Sequence, residues 1–314
     1  MCQAFRLAAS TRCRCFRCCP LSAMDLNFEM MRKTKYILPI LLCLPFLLGS
    51  CETVVELELP EHTPQLVINA VINPDSLFTV DVSASRSPFS NGAYPQLSDA
   101  TVQVYQAGQL LFDLQHQGNG IYRADAKPQV LQHYELRVNA PGFPGARATA
   151  HIPAAPILSD VKASEASPSN SPFPIVRLFF TLNDVANQEN FYYLRAYTPD
   201  TSYYDGRPYN RTESLNFTAP IETEFNMESR YFLSDKLFEG KQIPFRFEYA
   251  KIPGRTTYVQ VAHISKEYYE YARTLQRQAG GDDFGKLPSQ VTNSIRNGFG
   301  IFAGYNAVRL AVKP

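Results

Sequence analysis

A mainly β chain is predicted: an antiparallel sandwich followed by a second β-rich domain that carries one amphipathic helix. Three observations predict it. Short runs with period-two alternation recur from residue 53 onward, their connectors are built from Gly, Asn and Pro, and only residues 265–280 show a convincing helical period. A 45% hydrophobic share with 19% charge permits a packed core over most of the 314 residues. A formal charge of +1 leaves no basic excess for phosphates, so nucleic acid is disfavoured as a partner.

The strands of the first half are expected at 54–59, 66–72, 78–82, 101–105, 110–114, 121–124, 134–138 and 146–152. Between them stand Asn73-Pro74-Asp75, Asn91-Gly92, Ala107-Gly108, Gly118-Asn119-Gly120 and Pro141-Gly142-Phe143-Pro144, each supplying turn chemistry. Residues 99–139 read as a meander. The stretch 134–138 followed by Ala140-Pro141-Gly142-Phe143 has the pattern of immunoglobulin-like or transthyretin-like modules near their last strands, so residues 51–155 are expected to form such a sandwich. Pro153-Ala154-Ala155-Pro156 and the Ser/Pro-rich tract 164–174 mark the boundary to a second domain, 156–314. There, 175–182, 191–197, 243–249 and 258–263 read as strands, and 198–224 as a long polar loop. The helix is expected to be capped by Ser265 and to present Ile264, Tyr268, Ala272, Leu275 and Ala279 on one face, with Lys266 and Glu270 paired on the wet one. Residues 308–312 read as a final strand.

The first 51 residues have another character. All seven cysteines lie there, at 2, 13, 15, 18, 19, 43 and 51. Residues 31–35 are a cationic n-region, and 37–48 form an apolar run too short for a stable membrane span, so 31–50 read as a signal peptide. Residues 1–30 precede that signal and are expected to be a gene-model artefact, translation starting at Met30 or Met31. Their Cys13, Cys15, Cys18 and Cys19 have no second cysteine or histidine set with which to build a zinc site. Leu48-Gly49-Ser50-Cys51 resembles the lipobox of bacterial lipoproteins. That resemblance implies cleavage between Ser50 and Cys51 and acylation of Cys51, with the lipid bilayer as a partner. Several acyl chains, at about 0.8 kcal/mol per buried CH₂, hold a protein firmly to a membrane. Beyond residue 51 there are 23 basic and 27 acidic residues and no cysteine, so the remaining chain is mildly acidic and its fold stands without internal disulfides.

Further motifs carry a resemblance of the whole chain. Glu56-Leu57-Glu58-Leu59-Pro60, Gly118-Asn119-Gly120-Ile121-Tyr122, Ala140-Pro141-Gly142-Phe143, Leu233-Ser234-Asp235-Lys236-Leu237-Phe238-Glu239-Gly240 and Asn297-Gly298-Phe299-Gly300-Ile301-Phe302-Ala303-Gly304-Tyr305 resemble the Bacteroidetes lipoprotein family called domain of unknown function 4249. The resemblance covers essentially residues 51–310. It implies an outer-membrane lipoprotein, facing the periplasm or the cell surface, that acts alongside a TonB-dependent transporter. It brings no catalytic residue with it.

Chemistry in the residues themselves is thin. His62, His116, His133, His151 and His263 are scattered, with no HExxH or i,i+4 pair to share a metal, so no metal and no cofactor are expected. There is no GxSxG elbow, and Ser159-Asp160-Val161-Lys162 falls on an expected strand rather than opening a helix. Gly298, Gly300 and Gly304 lack the spacing and the Lys-Ser/Thr of a phosphate loop and read as structural glycines. Asp282-Asp283 has too few neighbouring carboxylates for calcium. Asp75-Ser76-Leu77 resembles a bacterial three-residue O-glycosylation site. The binding candidate is the loop with Tyr203, Tyr204, Asp205 and Tyr209, where tyrosines offer rigid contact area beside directional polar groups. The sequence reading is thus a non-catalytic envelope lipoprotein that binds a partner. Alternatives are an envelope hydrolase acting on glycan or peptide, and an adhesin or structural spacer.

Overall fold

A computed structural model of the chain describes residues 62–87, 90–166, 174–204, 207–212, 216–250, 254–279 and 290–312. The lipobox with Ser50 and Cys51, the signal at 31–50, the preface 1–30, the expected strand 54–59, Asp205 and Asp282-Asp283 lie outside the described residues.

Alternation becomes burial in the first half. Strands β1 (Leu66–Ile72), β2 (Thr79–Ala84), β3 (Thr101–Gln106), β4 (Gln109–His116), β5 (Ile121–Arg123), β6 (His133–Asn139) and β7 (Ala146–His151) follow the expected positions within a few residues. In β6 the pattern is strict: Tyr134, Leu136 and Val138 are buried while the residues between them face outward. Leu66, Ile68, Val80, Val82, Val104, Leu136, Val138 and Ile152 are almost wholly enclosed in one cluster, each contributing about 1.5–3 kcal/mol of hydrophobic stabilisation. The β3–β4 hairpin turns on Ala107 and Gly108, both at positive φ (48° and 82°), the geometry that matches the twist of a two-residue loop.

The second half supplies β8 (Ile157–Ala166), β9 (Ile175–Asn183), β10 (Phe191–Tyr204), β11 (Arg207–Thr212), β12 (Asn216–Thr218), β13 (Phe225–Met227), β14 (Arg230–Ser234), β15 (Gln242–Ala250), β16 (Thr257–Ile264), helix α1 (Lys266–Ala279) and β17 (Phe299–Val312). A four-stranded sheet, β12-β15-β9-β8, packs on β10, β14 and β16. Phe180 stacks on Phe245 and Phe247 at 5.4 Å each, within a core that also holds Leu194, Ala196, Val259 and Val261. The other face of β10, β14 and β16 packs against α1 through Tyr193, Phe232, Ala262, Tyr268, Tyr269 and Ala272.

Several expectations change. The stretch 198–224 is not a long loop: β10 runs on to Tyr204, pairs with β11, and is followed by β12, because Thr and Tyr sustain extended backbone despite the polar residues between them. The last strand begins at Phe299, nine residues before its expected start, since its glycines hide the alternation. Strands β1 and β17 pair in parallel, Val67 opposite Phe299 through Ile72 opposite Gly304, within an otherwise antiparallel architecture. The hydrogen-bonded path runs β13-β14-β10-β16-β17-β1-β2-β5-β4-β3-β6-β7 and curls until β7 returns to β17. There a Cβ on Gly304 would overlap the His151 carbonyl, so only glycine permits the approach. The expected boundary near residue 155 falls in the segment between β7 and β8.

On α1, Lys266 pairs with Glu189 at 2.7 Å, whereas Glu270 pairs with Arg273. A partner from the β9–β10 connection has replaced the local i,i+4 pair. Ser265 sits at the helix start as expected, its Oγ 3.5 Å from the Tyr268 amide.

Candidate functional site

The binding candidate from sequence sits on a β-ribbon. Strand β10 pairs with β16 as far as Tyr197 opposite Tyr258, and the β11 pairing carries it onward to Tyr204 opposite Arg207. Tyr203 and Tyr204 therefore lie on the end of β10, and Tyr209 on β11 at the register shift that falls between Pro199 and Tyr203. The backbone brings these three tyrosines to one ribbon end.

A second cluster, on the sheet from which that ribbon grows, was not foreseen. Arg195 of β10, Gln260 of β16 and Arg309 of β17 are opposite one another in register, so their side chains leave the same face of three adjacent strands. This is the next row beyond Tyr193, Ala262 and Ala307, which pack toward the helix. The Arg195 Nε donates to the Gln260 Oε1 at 2.7 Å, and its guanidinium lies 4.6 Å from the centroid of Tyr197. Tyr197 stacks on Tyr258 at 5.6 Å in the row after that. Arg309 pairs with Asp75 at 3.0 Å.

Tyr193, Tyr268 and Tyr305 form a triangle with ring centroids 6.0–6.3 Å apart. Arg230 of β14 stands beside it, 5.9 Å from the Tyr193 centroid. Burial pushes the Tyr305 phenol above its ordinary range, while the guanidiniums of Arg195, Arg309 and Arg230 all pull it down. The charge of three guanidiniums is thus felt at one hydroxyl. The sequence signal that would have found this cluster is local: in β16 a lone Gln interrupts Val259 and Val261, and in β10 a lone Arg interrupts Leu194 and Ala196, both in strands whose two faces are covered.

Other polar groups are taken up in holding the fold. Asp184 accepts from Tyr192 Oη at 2.7 Å, from Asn190 Nδ2 at 3.2 Å and from the Gly240 amide at 2.8 Å, while Asp235 accepts from the Asn190 amide at 2.7 Å. Burial raises the Asp235 carboxyl above its usual range. His133 and His151 stack at 5.4 Å across β6 and β7, and burial holds His151 below its ordinary value. Among the described residues, no three His, Cys, Asp or Glu side chains are arranged to hold a metal. In the Asp75-Ser76-Leu77 loop Ser76 is exposed and its Oγ accepts from Asn73 Nδ2 at 2.6 Å. Gly300 and Gly304 lie in β17, where the carbonyls of Ile68 and His151 occupy the space a Cβ would need. An open groove of about 640 Å³ near Phe143 has Arg86 on its wall, but that guanidinium is turned onto the Gly92 carbonyl and the Tyr94 ring.

Comparison with known families is decisive at one point: the profile of the family described as "Domain of unknown function (DUF4249)" matches residues 52–310. The chain belongs to that family. The DUF4249 match spans both sheets, the helix and the Arg195–Gln260–Arg309 row. No curated protein matches the chain. Among solved structures, a collagen adhesin (CNA) from S. aureus is similar over 79% of this chain and 94% of that one, with 10% identity and a TM-score of 0.19.

Proposed function

We propose that this chain is a non-catalytic outer-membrane lipoprotein, tethered through acylated Cys51, whose β body recognises a TonB-dependent transporter or the ligand that transporter carries. The observation that carries this reading is the order of parts along the sequence. A short apolar run and Leu48-Gly49-Ser50-Cys51 stand directly before a β-rich body whose first strand begins at Leu66. Acyl chains supply the membrane affinity, so the body is released from any need for an apolar face of its own. The ribbon of β10 and β11 supports the recognition part, because it carries Tyr203, Tyr204 and Tyr209 to one end of a two-stranded projection.

The test is fractionation of cells expressing Cys51→Ala beside the native protein, with crosslinking of the native form. The native protein is expected in the membrane fraction with a transporter crosslinked to it, and the variant in the soluble fraction. A variant that stays with the membrane contradicts the anchor. A native protein that crosslinks to no transporter contradicts the partner. Replacing Tyr203, Tyr204 and Tyr209 with Ala is expected to weaken the crosslink without lowering the melting temperature.

A further inference from the structure

Gln260 has an unmet requirement. Its side chain is fully buried, its Oε1 accepts from Arg195, and its Nε2 has no acceptor. The amide orientation is fixed, because a guanidinium only donates and Oε1 must face it, so the unpaired end is the donor. An unpaired buried donor destabilises the fold, a cost that a leucine or methionine of similar volume would avoid. The surroundings indicate what the amide awaits. Arg195 has no carboxylate partner among the described residues, whereas Arg309 holds Asp75 and Arg230 holds Glu228.

We propose that the Arg195–Gln260–Arg309 row is a binding site for the carboxylate of a ring-bearing sugar acid, a uronic acid. Adjacent strands lie about 4.8 Å apart, so a carboxylate bridging Arg195 and Arg309 passes directly over Gln260 and can accept from Nε2. The planar guanidinium forks match a planar carboxylate. Entry is from the Arg309 side, where the guanidinium side chain is 39% exposed. In the next row the half-buried Tyr258, whose ring stacks on the buried Tyr197, offers an aromatic surface and a hydroxyl to a sugar ring. Asp75 is the competitor: it pairs with Arg309 and is displaced by the ligand's carboxylate.

The site is independent of Cys51 and of any transporter, so its test stands apart from theirs. Calorimetric titration of the detergent-extracted full-length protein is expected to show binding of glucuronate and none of glucose. Gln260→Glu keeps the acceptor for Arg195 but replaces the donor with a second carboxylate. It is expected to melt no lower than the native protein and to bind glucuronate about tenfold more weakly or worse. A purely structural Gln260 predicts the opposite, a variant that binds as the native protein does, and that result overturns the proposal. Should Gln260→Glu fail to fold, Arg309→Gln, made on an exposed side chain, is expected to show the same loss, and retained affinity there overturns it equally. Inorganic phosphate binding as tightly as glucuronate rejects the carboxylate class, and silence toward glucuronate at about 10 mM rejects the site.

Discussion

At the scale of single residues, the closest backbone approaches are more demanding than the largest side chains. Gly304 has a negative φ that any residue could adopt; its constraint is the His151 carbonyl lying where a Cβ would go. Gly304→Ala is therefore expected to cost about 3 kcal/mol, the upper end for overpacking, because the obstacle is backbone and cannot rotate away. Gly142 presents the contrary case, with φ at +82° and nothing within 4 Å of its missing Cβ. Gly142→Ala is expected to cost only about 1–2 kcal/mol, from the left-handed backbone alone. Urea denaturation of the two variants measures the difference, and equal losses would show that the β7–β17 approach is looser than described.

Between elements, one carboxylate ties three of them. Glu224 accepts from the amide and hydroxyl of Ser234 on β14 and from the Tyr269 hydroxyl on α1, just before β13 begins. Burial works against its ionised form, but those hydrogen bonds and the nearby Lys236 outweigh it and hold the carboxyl below its usual range. A lowered folded-state pKa gives stability that is present above the unfolded value of about 4.3 and is lost as pH falls through the folded one. Glu224→Gln is expected to lower stability near neutral pH by about 1 kcal/mol, since the side chain is largely exposed and its charge is screened, and to flatten the acid limb. Asp235 runs in the opposite sense. Its raised carboxyl contributes stability below the unfolded pKa that disappears as pH rises through the folded one, so Asp235→Asn should gain on the native protein in that rising range. Melting temperature against pH for the two variants checks both signs, and parallel curves would contradict them.

Much at this level was legible beforehand. The strands from β1 to β7 could be read because each is half-buried, and a half-buried strand writes its alternation into the sequence. Helix α1 could be read from Ser265 and from the spacing of Tyr268 and Ala272. Strand β17 and the β10–β11 ribbon were harder, because glycines erase the alternation in one and polar residues in the other. The Arg195–Gln260–Arg309 row could not be assembled at all. Its members are 65 and 49 residues apart along the chain, and only strand register makes them neighbours.

For the whole molecule, β17 is the joint. It pairs antiparallel with β16 through residues 305–312 and parallel with β1 through 299–304, so one strand hydrogen-bonds to both halves of the chain. Ile295 and Phe302 add side chains to the first-half core from the same direction. The two halves are accordingly expected to unfold in a single calorimetric transition with equal van't Hoff and calorimetric enthalpies. Two resolved peaks would show that each half holds its own structure.

That arrangement also sets a timetable. A polypeptide made N-terminus first delivers β1 early, yet the strand that must lie against it arrives more than two hundred residues later. Until then one border of the leading half offers bare amides and carbonyls to whatever chain drifts past. Synthesis of this protein therefore leaves that border waiting, and its folding completes only when the tail has emerged.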